Sequence, residues 1–402
     1  MNPHCAQATH CLQYSHSRFS LTNVPLETTF DLQSAPDVEY QHLKEYDHSV
    51  LHWGQLKLLV GELEFFAPYM DAPEVTVVYA GASPGHHLPV LMDLLPKTWK
   101  WLLYDQNPSE VFCDMSAGSA VHFKPRKNAQ GLARPIKSKD DAFHEMLKKQ
   151  HFMQAIHYIQ DKDIEDMFWD ISNCIAHIAN KTIRDKRLAA VPRRYKKNVK
   201  SYTRMLTCEE CKEIHNRHVL RTQSACDPQL LCVCDLRTNK SEESVAEDMA
   251  LQEELVASLR PFQASLKFKL PYSDQYPQAI PYLAGTLHYQ AFSPRVSHEC
   301  RLHTTTGSST YDRLNFCKQM YHFQSTLRTS VYEGPEALAD PSRHPSLAKY
   351  GVCIDNCFDC RAALRIVAPY AAKLGHAEPA DLMEKIVHEL SLVEKECFVP
   401  SI

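Results

Sequence analysis

Residues 75–105 of the 402-residue chain read VTVVYAGASPGHHLPVLMDLLPKTWKWLLYD, and the remaining sequence is placed by reference to them. Val75, Val77, Val78 and Tyr79 form a short β-branched, apolar run, which reads as a buried parallel strand. The run stops at Gly81, and residues 81–85, GASPG, make a glycine turn. From His86 onward Leu88, Leu91, Met92 and Leu95 recur at helical spacing; a second apolar run at 99–104 then delivers Asp105 at its carboxyl end, 24 residues after Gly81. The pattern is strand, glycine turn, helix, strand, and the expected fold class is α/β. Open α/β sheets bind ligands in the crevice outside the carboxyl ends of their strands. A glycine there lets backbone approach closely, and an acid at this distance bonds ribose hydroxyls. An adenosine-containing ligand is therefore expected. The turn does not choose among NAD, FAD and S-adenosylmethionine, but it lacks the Lys-Ser/Thr of a phosphate loop, which disfavours ATP.

Glycine economy points to the same place. Only 11 glycines occur in the chain, well below ordinary usage, yet Gly54, Gly61, Gly81 and Gly85 fall within one short segment. The length accommodates one large α/β domain with insertions, or two domains. A 44% hydrophobic content is that of a globular protein, and a net charge of −4 means that nucleic-acid affinity must come from local patches. Fifteen cysteines, an odd number at irregular spacings without an apolar leader, are expected to be reduced thiols in a cytosolic setting. No run of about 18 apolar residues is present, so a soluble protein with no membrane association is expected.

Residues 1–36 are polar and rich in His, Ser and Thr, and are expected to be mobile; 37–402 read as a single domain. Within residues 52–70, HWGQLKLLVGELEFFAPYM, the residues Leu56, Leu59, Val60, Leu63 and Ala67 follow helical spacing, which puts Gln55 and Lys57 in the first turn. After Asp105 the sheet signal is absent for more than a hundred residues. Helical patterns at 141–150 and 153–180 predict a helical, partly basic insertion at about 107–227. Residues 181–204 hold ten Lys or Arg against the single acid Asp185, with Tyr195 and Tyr202 interleaved. This is either a solvated face or arm, or an RNA backbone contact through Arg193, Arg194, Lys196 and Lys197 with the tyrosines as stacking surfaces. Cys208, Cys211, His215 and His218 form a CxxCxxxHxxH arrangement; pairs this tightly spaced rarely close a tetrahedral zinc site unaided, so a structural zinc is the lesser reading and no metal is assigned to them. Cys353, Cys357 and Cys360 form a similar cluster that could hold a metal, but on a helix over 352–371 the stronger reading is small buried side chains.

Sheet signals return at 230–235, LLCVCD, again with an acid at the carboxyl end, where a catalytic carboxylate would belong. An amphipathic helix is expected over 244–258, a strand carrying Lys267 and Lys269 over 264–270, and a turn at 271–274. Two more strands are expected at 287–292 and 298–303, the second carrying Glu299. A helix around 315–327, a loop to about 344 and two helices complete the chain.

The segments GQLKLLVGEL, VTVVYAGASPG, CVCDLR, SLKFKLPYSDQ and SHECRL, in this order, resemble the poxvirus-type cap-specific mRNA nucleoside-2′-O-methyltransferases, which in poxviruses also serve as the small stimulatory subunit of poly(A) polymerase. The resemblance covers roughly 40–105 and 228–328, and weakly 355–367. It implies a Rossmann-like methyltransferase sheet flanked by helices, S-adenosyl-L-methionine as cofactor, capped mRNA as substrate and a poly(A) polymerase catalytic subunit as partner. It also implies a setting in the host cytoplasm, in viral factories, and in the virion. The family's Lys-Asp-Lys-Glu tetrad falls on Lys57, Asp235, Lys267 and Glu299. Removing a proton from a ribose hydroxyl while aligning it with a sulfonium needs a base, and Lys267 is the candidate, since an ammonium at Lys57 and the sulfonium would both oppose its protonation. The implied cofactor contacts are Gln55, Tyr79, Gly81, Gly85 and Asp105. For the cap, where the family sandwiches a positively charged base between aromatic rings, Tyr272 and Asp274 match one ring and one acid, and Tyr40 stands for the second ring. Val296 replaces an aromatic and Cys317 the second acid, so the cap site departs from the family pattern where the tetrad does not. The insertion after Asp105 is foreign to that pattern and points to a distant relative, from another large DNA virus.

Overall fold

A computed structural model describes residues 20–21, 25–41, 52–107, 198–222, 229–239, 241–332 and 338–393. All of these belong to one of the two units into which the chain divides, 1–116 with 191–402; the other, 117–190, lies outside the described residues. In chain order the elements are β1 (Ser20–Leu21), β2 (Thr29–Phe30), α1 (Gly54–Phe66), β3 (Val75–Ala80), α2 (Leu88–Leu94), β4 (Lys100–Asp105), β5 (Val199–Thr203), α3 (Cys208–Thr222), β6 (Gln229–Cys234) and α4 (Glu242–Leu259). They continue with β7 (Gln263–Phe268), β8 (Ala279–His288), β9 (Cys300–Asp312), α5 (Arg313–Ser325), β10 (Ser330–Val331), α6 (Pro345–Tyr350), α7 (Phe358–Leu374) and α8 (Pro379–Val393).

The architecture is mixed α/β, with a central eight-stranded sheet flanked by helices. Strand order is β2-β8-β9-β7-β6-β3-β4-β5. The run from β5 to β7 is parallel, and β9, β8 and β2 are added antiparallel. β3 is central because it is buried along nearly its whole length, as its Val-rich, non-alternating sequence requires. From β3 the chain first builds outward through β4 to β5 and then returns to the other side with β6 and β7. The strand order thus reverses at β3, where sheets of this kind open a crevice beyond their carboxyl ends. α1 packs its Leu56, Leu59, Val60, Leu63 and Phe66 into the core. α7 braces it: the Tyr370 hydroxyl donates to the Leu63 carbonyl at 2.8 Å.

The expected elements around the glycine turn are present within a residue or two, and four differences stand out. β5 lies inside the stretch expected to be helical and at the end of the basic run, and pairs with β4 from Trp101↔Val199 to Asp105↔Thr203. β2, inside the segment expected to be mobile, pairs with β8. β8 begins at Ala279, not 287, because its first half is largely exposed and carries Pro281, so no apolar alternation announces it. α7 begins at Phe358 rather than 352, after Cys353 has taken a left-handed conformation (φ +59°) that ends any continuous helix. The patterns at 141–150 and 153–180 fall outside the described residues. No helix among the described residues is long and apolar enough to cross a membrane.

Candidate active site

Four strand ends and one helix start meet at the crevice. Asp235 follows β6, and its N–H donates to the Ala80 carbonyl at the end of β3 (2.8 Å). Gly81 lies so close to it that a Cβ there would stand 2.7 Å from the Asp235 carbonyl carbon; its φ is +86°. Glycine is therefore required by both the close approach and the backbone conformation. Lys267 lies on β7, Lys57 in the first turn of α1, and Glu299 just before β9. Lys57 Nζ donates to Glu299 Oε1 at 2.8 Å. Lys267 Nζ stands 3.2 Å from Asp235 Oδ1 and 3.8 Å from Glu299 Oε2. Four residues spread over most of the chain thus form one linked cluster, with side chains only 10–15% exposed.

Two arginines that the sequence reading did not single out complete the cluster. Arg301 faces Lys267 across the β7–β9 pairing, and its Nη2 hydrogen-bonds Asp235 Oδ1 while Nη1 reaches the Cys234 carbonyl at 3.4 Å. Arg237 Nη2 stands 3.8 Å from Glu299 Oε2, and Nη1 is 3.6 Å from Asp248 Oδ2 on α4. Both Nη atoms are buried without hydrogen-bond partners. Burial alone would push the two acids up, but Lys267, Arg301 and Lys57 outweigh it at Asp235, and Lys57, Lys267 and Arg301 at Glu299, holding both below the usual carboxylate range. The site is a place where two carboxylates stay ionised and hold amines and guanidinium groups in fixed positions. Arg301 was hidden in sequence because an Arg inside a strand reads as a surface charge.

The candidate cofactor residues form a second chain of contacts. Asp105 Oδ2 accepts from the Ser83 N–H at 3.0 Å, so the acid at the end of β4 holds the glycine turn. Gly85 also has positive φ (+77°). Gln55 Oε1 lies 2.9 Å from His87 Nδ1 and accepts from the His87 N–H at 3.1 Å; His87 Nε2 lies 3.2 Å from Glu62 Oε1, and the Tyr79 hydroxyl donates to the same oxygen at 2.5 Å. The Tyr79 ring is fully buried in this network, so its side chain braces the floor of the crevice and does not line it.

A third group lies beside the tetrad. The rings of Tyr40 and Tyr272 are nearly parallel (12°), with centroids 6.0 Å apart. His298, the residue before Glu299, stands edge-on to both at 5.4 and 5.1 Å. Lys269 Nζ lies 4.7 Å from the Tyr272 centroid. Tyr272 is held by Glu242 at the start of α4, whose Oε1 accepts from the Tyr272 N–H at 2.6 Å and whose Oε2 accepts from the Ser273 N–H at 3.1 Å. Asp274 is exposed and pairs with Arg313 at 2.8 Å. Cys317 is buried and Val296 partly so. Arg193, Arg194, Lys196 and Lys197 lie outside the described residues. Cys208, Cys211, His215 and His218 all sit on α3, where the ten-residue span from first to last covers about 15 Å, too far to converge on one ion.

A profile described as "Poly A polymerase regulatory subunit" matches residues 22–115 and 156–332, about two thirds of the chain and every member of these three groups. The chain belongs to this family. The chain is also similar to the cap-specific mRNA (nucleoside-2′-O-)-methyltransferases of Myxoma virus strains Lausanne and Uriarra, each 23% identical over 310 residues, 73% of this chain and 67% of theirs. The protein of that name from Fowlpox virus (strain NVSL) is 31% identical over 87 residues, 21% of this chain and 28% of its own. The family match passes over 116–155 and resumes at 156, so it takes in much of the stretch that the sequence had suggested was foreign to the family.

Proposed function

We propose that this protein transfers a methyl group from S-adenosyl-L-methionine to the ribose 2′-hydroxyl of the first transcribed nucleotide of capped mRNA. The observation that carries the proposal is the convergence of Lys57, Asp235, Lys267 and Glu299 beside the Gly81 turn. On this reading the sheet is Rossmann-like, and the described elements belong to a methyltransferase domain spanning 37–402, with an insertion at about 107–227. The turn at Gly81–Gly85 and the carboxylate of Asp105 fit an adenosine: backbone can approach closely, and each Asp105 oxygen keeps a lone pair after accepting its N–H. The cofactor would supply an electrophilic methyl group on a sulfonium.

The chain's own residues do the rest. Lys267, between Asp235 and Glu299, is the base: its ammonium first passes its proton to solvent, the neutral amine then takes the hydroxyl proton, and the two acids fix the amine and the hydroxyl in line with the methyl. Lys57 holds Glu299 from the far side. Arg301, beside Lys267 across the β7–β9 pairing, keeps Asp235 in place, and Arg237, buried between Asp248 and Glu299, steadies the second oxygen of Glu299. Tyr40 and Tyr272 form the cap slot, in which a planar base would need the rings to part from 6.0 Å to about 7 Å, two contact distances. The setting is the cytoplasm of an infected host cell.

The test is methylation of capped RNA by wild type and Lys267→Ala. A loss of at least two orders of magnitude is expected, and equal rates would overturn the assignment. The family description favours a second role, as a stimulatory subunit that holds RNA for a poly(A) polymerase. Stimulation of tailing that survives Lys267→Ala would place that role apart from the tetrad.

A further inference from the structure

Asp355, Cys357 and Cys360 bring a carboxylate oxygen and two sulfurs within 4.8 Å of one another, with the three donor atoms buried. They lie where the chain enters α7. Cys357 is the N-cap, in extended conformation, and Cys360 is in the first helical turn. The left-handed turn at Cys353 aims its N–H at Cys360 Sγ, 3.1 Å away. Asp355 Oδ1 accepts from the Cys357 N–H at 2.9 Å, whereas Oδ2 is buried with no hydrogen-bond partner, and among the described residues Asp355 makes no ion pair. An isolated buried carboxylate oxygen is costly. Here it faces two sulfurs at the start of a 17-residue helix.

We propose that Asp355 Oδ2, Cys357 Sγ and Cys360 Sγ are three ligands of a bound zinc ion. Two sulfurs and one carboxylate suit a borderline-soft tetrahedral ion. Magnesium and calcium take oxygen ligands, and iron–sulfur clusters require a fuller set of cysteines. The Cys353 sulfur is engaged elsewhere, donating to the Cys360 carbonyl at 3.7 Å, so the fourth position belongs to water, reached on the side where Cys357 is only partly buried. Each thiol gives up its proton to solvent as the metal enters. The helix start that the ion would fix carries Asp359, whose carboxylate grips the fully buried Arg328 at 3.0 Å, and farther along Tyr370, which ties α7 to the helix of Gln55 and Lys57. The ion is thus a structural support at a distance from the tetrad. The sequence pointed to Cys353, Cys357 and Cys360 as a cluster but not to Asp355, because a continuous helix over 352–371 would turn Asp355 away; the turn before Phe358 brings it to the two sulfurs.

The experiment is metal analysis of the full-length protein, purified under reducing conditions and dialysed, with zinc affinity measured by competition against a chromophoric chelator. Wild type should retain one zinc that Cys208→Ser/Cys211→Ser also retains and Cys357→Ser/Cys360→Ser loses, and Asp355→Asn should bind it at least tenfold more weakly. The dissociation constant should be sub-micromolar. Should the cysteine variant not fold, cobalt loading of wild type decides: a tetrahedral spectrum with thiolate charge-transfer bands is expected, altered in Asp355→Asn. Folded wild type that binds neither metal at micromolar concentration, zinc retained undiminished by folded Cys357→Ser/Cys360→Ser, or a Cys357–Cys360 disulfide in its place would each overturn the proposal.

Discussion

Lys57 Nζ donates to Glu299 Oε1 at 2.8 Å across 242 positions of sequence, joining the first turn of α1 to the residue that precedes β9. The other Glu299 oxygen faces Lys267 and Arg237 at 3.8 Å each, so this carboxylate is the bridge on which both lysines depend. Residues acting as one unit lose function non-additively. Glu299→Ala and Lys57→Ala are each expected to slow single-turnover methyl transfer by at least two orders of magnitude, and the double variant to be no slower than the worse single one. Losses that multiply would show that the two side chains act independently.

Asp235 and Glu299 make the acid limb of stability a readout of the same cluster. Burial raises both, Lys267, Arg301 and Lys57 together more than offset it, and both native values lie below the usual carboxylate range. Below about pH 4 the unfolded chain therefore binds more protons than the native one. The stabilisation is fully present above the unfolded values and is lost as pH falls through the native ones. Urea midpoints measured from about pH 3 to pH 7 should fall steeply at the acid end in wild type and less steeply in Glu299→Gln. Parallel curves would mean that Glu299 is not held ionised by its neighbours.

Arg301 and Lys267 should separate stability from chemistry. Both face Asp235, but Arg301 is nearly fully buried and hydrogen-bonded to it, whereas Lys267 is an ion-pair partner at 3.2 Å. Arg301→Ala leaves a buried acid without its closest donor, at a cost of about 3–5 kcal/mol. Lys267→Ala leaves Arg301 in place and should cost less, with a larger loss of activity. Equilibrium denaturation beside initial rates checks the order, and the reverse order would exchange the two roles.

Much of this site was legible because its parts sit at the borders of elements with strong patterns. Gly81 ends a valine run, and Asp105 and Asp235 end apolar strands; Lys57 opens a helix with clear spacing. What was not legible depends on pairing between distant segments. β5 is five residues in a basic stretch, and only its parallel register with β4 makes it a strand. That Tyr40 stands opposite Tyr272 was readable only through the family resemblance, since no local period reports it. Glu242 reads as a helix-start charge, and its use as the brace of Tyr272 emerges only when α4 and the 271–274 turn are adjacent.

Gly81→Ala tests the crevice itself. The added Cβ would stand 2.7 Å from the Asp235 carbonyl carbon and 2.8 Å from its oxygen, at a φ of +86° that L side chains rarely adopt. Relief requires moving the end of β6 and Asp235 with it, so calorimetric binding of S-adenosylhomocysteine and methyl transfer should fall together. Gly54→Ala is the control, since nothing lies within 4 Å of its added Cβ and alanine suits the helix it begins. Equal binding by wild type and Gly81→Ala would remove the glycine turn from the ligand site.

The ring pair gives the sharpest test of what the RNA end must carry. Tyr40 and Tyr272 lie 6.0 Å apart at 12°, with His298 closing the slot edge-on, a geometry that admits one flat ring after a small opening. Stacking a base on an aromatic side chain contributes about 1–3 kcal/mol, and a positive charge on the base adds a cation–π attraction. Tyr272→Ala or Tyr40→Ala should weaken binding of a 7-methylguanosine cap analogue about tenfold to a hundredfold, whereas Tyr272→Phe, which keeps the ring face, should stay near wild type. The unmethylated cap, lacking the charge, should bind wild type more weakly and lose less in the alanine variants. Fluorescence titration resolves all of these. If Tyr272→Ala binds the analogue as well as wild type, the slot is an internal stacking contact of the protein and the cap lies elsewhere.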